Sequence, residues 1–243
     1  MAKQALITGG TRGIGKAVAS CLAGAGYDLL LTYGSDHATA DATAGEIRAA
    51  HEGVSVSVLQ ADIADVRSID TIDGCLVAYG MMPDAVVLNA GLTCREPFER
   101  MKLAEWERVF FANVHFPVFL LQRIAGRIPA GGSVVFTGSL MGIEPHATSL
   151  AYGVTKSAVH ALTRNLVKFL SPLRIRVNAV APGFVDTEWQ RDKPAEIRRN
   201  IEGKVAQGRF CRPDEVAEVY RMLIENTYFE GEVIAVSGGY SYK

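Results

Sequence analysis

Short, uninterrupted apolar runs alternate with amphipathic segments along the whole chain, and this alternation limits the fold more than any single motif does. Residues 4–8 form the first apolar run and end in glycines, after which Ile14, Val18 and Leu22 recur at helical spacing. That order predicts a strand, a tight turn and a helix, with Gly24 and Gly26 stopping the helix. Further strands are predicted at 28–33, 54–60, 85–88, 133–137, 175–180 and 232–236, and helices at 40–50, 66–79, 103–123, 151–170 and 213–225. Pro117 predicts a kink in the helix at 103–123. Strands that are apolar at every position are buried on both faces, which requires a parallel sheet covered by helices on each side.

The expected fold class is therefore α/β, a Rossmann-type doubly wound parallel sheet. At 243 residues and 49% hydrophobic content the chain can bury a substantial core, and no Pro/Ser/Gly-rich linker, charge block or repeat divides it. A single domain over 1–243 is expected. The net charge of -1 and the pI near 6.5 offer no broad attraction for nucleic acid or anionic membrane. Residues 1–4 lead straight into the first strand with no signal-peptide core, and the most hydrophobic stretch, 109–121, is broken by Asn113, His115 and Pro117. The reading is a soluble, cytoplasmic protein. Cys21, Cys75, Cys94 and Cys211 are scattered, with no metal-ligand spacing, and read as reduced thiols. Cys94, close to the predicted site, reads as a buried, inert one.

In a doubly wound sheet ligands bind at the carboxyl ends of the strands, and Gly9, Asn89, Ser139 and Pro182 all follow predicted strand ends. Four separate segments thus meet at one crevice. In the first of them, Thr8-Gly9-x-x-x-Gly13-x-Gly15, glycines let the backbone turn sharply and approach a pyrophosphate at a helix start. A dinucleotide is the natural occupant. Strand two ends in Thr32 and Tyr33 with no acid to bind an NAD ribose, while Arg12 offers a cation to a 2'-phosphate, so NADP(H) is favoured over NAD(H). Asp36 is the reservation, since a rearranged loop could bring it to the ribose. Asp62-Ile63, after strand three, reads either as an adenine contact or, for Asp62, as a turn former.

Tyr152 and Lys156 are four residues apart, on one face of a helix, where a Lys ammonium can stabilise an ionised phenol. A chance pair of this kind is common, and a Tyr packed on a surface Lys stem is the competing reading. Its company, the glycine loop, Asn89-Ala90-Gly91 and Ser139, points to carbonyl reduction. As negative charge grows on a ketone oxygen during hydride transfer, a site needs donors aimed at that oxygen and a proton source. Ser139 and Tyr152 supply them in this reading.

With these segments in hand, the chain resembles the short-chain dehydrogenase/reductase family over essentially its whole length, and within it bacterial β-ketoacyl-[acyl-carrier-protein] reductases. The resemblance rests on the run from Thr8 to Gly15, Asn89-Ala90-Gly91, Asn113, Gly138-Ser139, Tyr152-x-x-x-Lys156, Asn178-Ala179-Val180-Ala181-Pro182-Gly183 and Ser237-Gly238-Gly239. It implies a catalytic tetrad of Asn113, Ser139, Tyr152 and Lys156, with Asn113 holding a water that leads from Lys156 to solvent. It also implies cofactor contacts from Gly9, Thr11, Arg12, Gly13, Ile14 and Gly15, from Asn89, Ala90 and Gly91 at the nicotinamide ribose, and from Pro182, Gly183, Val185 and Thr187 at the carboxamide. Tyr152 and Lys156 are implied to contact the cofactor as well, Lys156 through the ribose hydroxyls. The dinucleotide-binding part would span about 1–90 and the catalytic part 91–243, in a homotetramer built on the long helices and the last strand.

The polar segment 187–208 reads as a lid over the substrate, with Trp189 as its apolar contact. Glu188, Arg191, Asp192 and Lys193 are either substrate contacts or a solvated helical face. An acyl-thioester substrate on an acyl carrier protein calls for a basic patch. Arg127 and Arg174 lie near the family's arginines, but out of register, which keeps a reductase of another small ketone or alcohol as the rival. A catalytically inactive nucleotide-binding regulator is the reading from another class. Phe110, Phe111, Phe116 and Phe119 serve either assembly or the core, and Tyr240-Ser241-Tyr242 either closes a neighbouring subunit or frays.

Overall fold

Neighbouring residues of the central strands point to opposite faces of one sheet and are buried on both. Leu6, Leu30, Val134 and Phe136 join one core, whereas Ala5, Ile7, Leu29, Leu31 and Val135 join the other. The computed structural model describes residues 2–191, 193–240 and 242; Asp192 and Ser241 lie outside the described residues. Strands β1 (Lys3–Ile7), β2 (Tyr27–Tyr33), β3 (Val56–Gln60), β4 (Ala85–Leu88), β5 (Ser133–Thr137), β6 (Arg176–Pro182) and β7 (Val233–Val236) form one sheet in the order β3-β2-β1-β4-β5-β6-β7. Every pairing is parallel.

Helices α1 (Gly13–Gly24), α2 (His37–Ala50) and α9 (Pro213–Glu225) cover one face, and α3 (Arg67–Ala78), α4 (Leu103–Phe110), α5 (Phe116–Ile124) and α6 (Leu150–Leu170) the other. Two short helices, α7 (Glu188–Arg191) and α8 (Ala195–Lys204), lie within the predicted lid. The chain crosses back from β3 to place β4 beside β1, so the loops leaving β1 and β4 diverge and open a crevice.

Three local readings change. The helix read as starting at residue 40 begins at His37, because Asp36 caps it: Oδ1 accepts the Thr39 N–H at 3.0 Å and Oδ2 the Thr39 hydroxyl at 2.6 Å. The helix expected to kink at Pro117 instead passes through a π turn at Phe111–His115. Pro117 has no N–H for the carbonyl of Asn113, so the ladder adjusts in the preceding turn. Leu103–Arg127 is thereby one helical stretch of 25 residues, long and apolar enough by composition to cross a membrane, yet Val109, Phe116, Leu120, Leu121 and Ile124 are buried in this fold. Finally, Pro182 closes strand β6 rather than following it.

Candidate active site

Thr8 and Asn89 build the crevice from its floor. The Thr8 hydroxyl oxygen accepts the N–H groups of Asn89 (3.0 Å) and Ala90 (3.1 Å), which ties the ends of β1 and β4 together. The Asn89 amide donates back to the carbonyls of Thr8 (3.1 Å) and Gly9 (3.3 Å). Thr32, buried at the end of β2, accepts the Gly9 N–H on its hydroxyl at 3.3 Å and the Gly10 N–H on its carbonyl at 3.1 Å. Thr32 and Asn89 thus spend their side chains bracing the glycine loop. Gly9 and Gly13 have φ of +63° and +55°, and a Cβ on Gly15 would run into the carbonyl oxygen of Gly9.

No side chain caps α1, and its first turn holds no acid. The site therefore fits a pyrophosphate: uncapped N–H groups at a helix start, glycines that let it approach, and Thr187 facing Gly13 at 3.5 Å from where a Cβ would stand. Beyond the loop, a cleft of about 390 Å³ lies at the ends of β2 and β3, lined by Gly34, Asp62, Arg67 and Ser68 among others. Asp62 takes the turn-forming role, its Oδ1 accepting the Ala64 N–H at 2.9 Å, while the residue also borders this cleft. Ile63 is buried in the core. Arg12 is exposed and in no ion pair among the described residues. Asp36, with both oxygens bound to Thr39, is held below the usual carboxylate range first by those hydrogen bonds and then by nearby Arg12.

Across the crevice, α6 presents Tyr152, Lys156 and His160 as a stripe at i, i+4 and i+8. Its N-cap, Ser149, donates to the carbonyl of Cys94 and accepts the hydroxyl of Thr93 at 3.0 Å, so the loop after β4 sets where the helix starts. Cys94 itself is buried. The Lys156 ammonium, 3% exposed, donates to the carbonyl of Thr137 at 2.6 Å and lies 5.4 Å from the Tyr152 ring centre. Burial pushes Lys156 down to about 8. Burial also raises Tyr152 above the ordinary phenol, with the Ser139 hydroxyl pulling it back. The tuning towards neutrality expected from Lys156 is therefore not seen, and desolvation holds the phenol in its protonated form. Ser139 is buried, and its Oγ accepts the Met141 N–H at 3.1 Å, which leaves the hydroxyl proton free to donate.

Asn113 sits in the π turn with its side chain fully engaged. Oδ1 accepts the Leu92 N–H at 2.7 Å, and Nδ2 donates to the Leu92 carbonyl at 2.9 Å and the Thr155 hydroxyl at 3.0 Å. Gly91 borders both Asn113 and Lys156, for a Cβ there would stand 3.3 Å from Asn113 Oδ1 and 3.6 Å from the Lys156 nitrogen. Asn113, Lys156 and the loop after β4 are therefore one packed unit. Val185 is buried beneath the site, pairing with Cys211, and Gly183 lies close against Ser237.

Sequence reasoning missed the layer behind the tetrad. The Thr137 hydroxyl lies 3.2 Å from Asn89 Oδ1 and 2.6 Å from the phenol of Tyr220, a fully buried residue of α9. Since Asn89 Oδ1 can only accept, Thr137 donates there and Tyr220 must donate to Thr137. Burial keeps Tyr220 protonated, well above the ordinary phenol. Above the tetrad, Trp189 of α7 faces Tyr152 with ring centres 6.4 Å apart, and the Arg95 guanidinium lies 6.0 Å from the Trp189 ring. Glu188 pairs with Arg191 at 3.5 Å, while burial and then Arg95 lower Lys193. Arg127 is paired with Asp73 at 2.6 Å. Phe116 belongs to the core, Phe110 and Phe111 are partly buried, and Phe119 is half exposed.

A family profile described as Enoyl-(Acyl carrier protein) reductase matches residues 9–241. The chain is similar to a 3-oxoacyl-[acyl-carrier-protein] reductase, FabG, of Aquifex aeolicus, at 34% identity over 98% of this chain and 96% of that protein. Among solved structures it is similar to a short-chain dehydrogenase/reductase of Serratia marcescens (30% identity, TM-score 0.91, 98% of each chain). It is likewise similar to a short chain dehydrogenase of Burkholderia cenocepacia in complex with NADP (29% identity, TM-score 0.90, 98% of this chain and 97% of that one). With the parallel sheet, the glycine loop and the Tyr152–Lys156 helix, these likenesses make the chain an oxidoreductase of the short-chain dehydrogenase/reductase family.

Proposed function

We propose that the protein is an NADPH-dependent carbonyl reductase whose substrate is a 3-oxoacyl thioester on an acyl carrier protein. The observation that carries the reading is the convergence of Ser139, Tyr152 and Lys156 beside an uncapped, glycine-lined helix start. The glycine loop, Arg12, Asn89 to Gly91, Tyr152, Lys156 and the segment from Pro182 to Thr187 are the residues to hold the cofactor. NADPH bound there supplies the hydride. Arg12 would pair with the 2'-phosphate, a role favoured by the use of Asp36 as the cap of α2.

The chain's own residues do the rest. Ser139 and Tyr152 donate to the carbonyl oxygen as charge grows on it, and the protonated Tyr152 phenol gives up its proton. Lys156, fixed by the Thr137 carbonyl, orients the nicotinamide ribose and offsets the charge left on the phenolate. Asn113 fixes the loop after β4 beside Lys156, and the proton returns to the phenolate through Lys156. Trp189 closes over Tyr152 and gives the substrate an apolar roof.

The ion pair of Arg127 with Asp73 takes one expected cation out of a carrier-protein patch, which favours a carrier-free substrate, a small β-ketoester or a coenzyme-A thioester, as the second reading. A homotetramer formed through α5, α6 and the edge strand β7 accounts for exposed Phe119, Leu150, Val154 and Phe169, in a cytoplasmic enzyme. NADPH oxidation monitored by absorbance, with carrier-linked and free β-ketoesters at low and raised salt, tests the assignment. A carrier-linked preference that weakens with salt supports the first substrate, and equal rates support the second.

A further inference from the structure

His160 lies one helical turn beyond Lys156 and is 5% exposed, but the mechanism above leaves it without a task. Its Nε2 receives the main-chain N–H of Ser139 at 3.3 Å. A backbone amide can only donate, so Nε2 carries the lone pair and the ring proton sits on Nδ1. On its other edge the ring packs against the main chain of Gly142. The segment from Gly138 to Gly142 is wrapped around this ring and shaped for it. A Cβ on Gly138 would collide with Nε2, and one on Gly142 would stand 2.8 Å from Cε1.

We propose that His160 is a positioning residue for Ser139: its neutral ring holds the Ser139 amide on Nε2, packs closely against Gly138 and Gly142 on either side, and so fixes where the Ser139 hydroxyl points. Lys156 and His160, four apart on α6, then hold Thr137 by its carbonyl and Ser139 by its amide, so one helix face sets the ammonium and the hydroxyl in register. A charged ring would set N–H against N–H. Burial, followed by the neighbouring charges of Lys156 and Arg164, opposes that charge and pushes His160 down to about 4. The inference rests on the reading of Ser139 as a donor to the carbonyl oxygen.

The test pairs histidine-15N NMR on the intact protein, with His160 assigned by its absence in His160→Leu, with steady-state kinetics. The expected spectrum shows a neutral ring at pH 6, protonated on Nδ1. His160→Leu should lower kcat by about tenfold or more while NADPH affinity stays within about threefold, since a small displacement of an aligned donor is costly. His160→Gln, which returns an acceptor near the place of Nε2, should recover to within about threefold of wild type. A proton on Nε2, a ring that charges near the ordinary histidine value, an unaltered kcat in His160→Leu, or equal losses in the Leu and Gln variants would each overturn the proposal. The spectra need no substrate, so a wild-type protein that turns over no ketone fails the functional reading while the bond to Ser139 is still judged by NMR.

Discussion

The ammonium of Lys156 is bound at 2.6 Å by the carbonyl of Thr137, the last residue of β5, and not by a carboxylate. A charge buried with one neutral partner costs stability, which is why Lys156 is pushed down to about 8. Below that value the native state pays for the charge in full. Between about 8 and the ordinary 10.5 the unfolded chain binds more protons than the folded one, so this cost fades as pH rises.

Lys156→Met is accordingly expected to raise stability at pH 7 by about 1–3 kcal/mol while removing turnover. For a chain of this length that is a Tm several degrees higher, about 2–4 °C per kcal/mol. Thermal melts from pH 7 to 10.5 check it. The gain should shrink across that window, and a variant less stable than wild type at pH 7 would contradict the account.

Arg12→Ala is expected to weaken NADPH binding by about tenfold or more, the worth of a charge-assisted contact, and to leave NADH within about twofold. Fluorescence titration with both cofactors measures this. Equal losses would move Arg12 from the 2'-phosphate to the shared pyrophosphate.

Tyr220→Phe leaves the Thr137 hydroxyl without its donor inside the core, at an expected cost of about 1–2 kcal/mol. Thr137→Val removes the other end of the same bond. In a double-mutant cycle read by urea unfolding, the two losses should fall short of additive by about 0.5–1 kcal/mol. Strict additivity would mean that the Tyr220 phenol is satisfied elsewhere.

The sheet and its order of elements were legible because strands buried on both faces leave continuous apolar runs, as at 85–88 and 133–137. The candidate site was legible where geometry demands a residue type: Gly15 beneath the Gly9 carbonyl, or Tyr152 and Lys156 at one helical turn. Thr32, Asn89 and Asn113 could be located but not assigned, since only coordinates show that their side chains brace loops. Tyr220 and Thr137 left no trace, because a hydrogen bond across 83 residues has no local signature. His160 did leave one, a polar residue four beyond Lys156 on a face that should otherwise be apolar. Asp36, the reservation at the ribose, is instead bound to Thr39 as a helix cap, a role that only coordinates show.

The most direct measurement is NADPH oxidation with a 3-oxoacyl thioester by wild type and Tyr152→Phe at equal cofactor saturation. The account predicts that losing the phenol proton lowers kcat by about 100-fold or more, as removal of a general acid does, with NADPH affinity changed by no more than about threefold. Half the wild-type rate in Tyr152→Phe would show that the carbonyl oxygen takes its proton from another group.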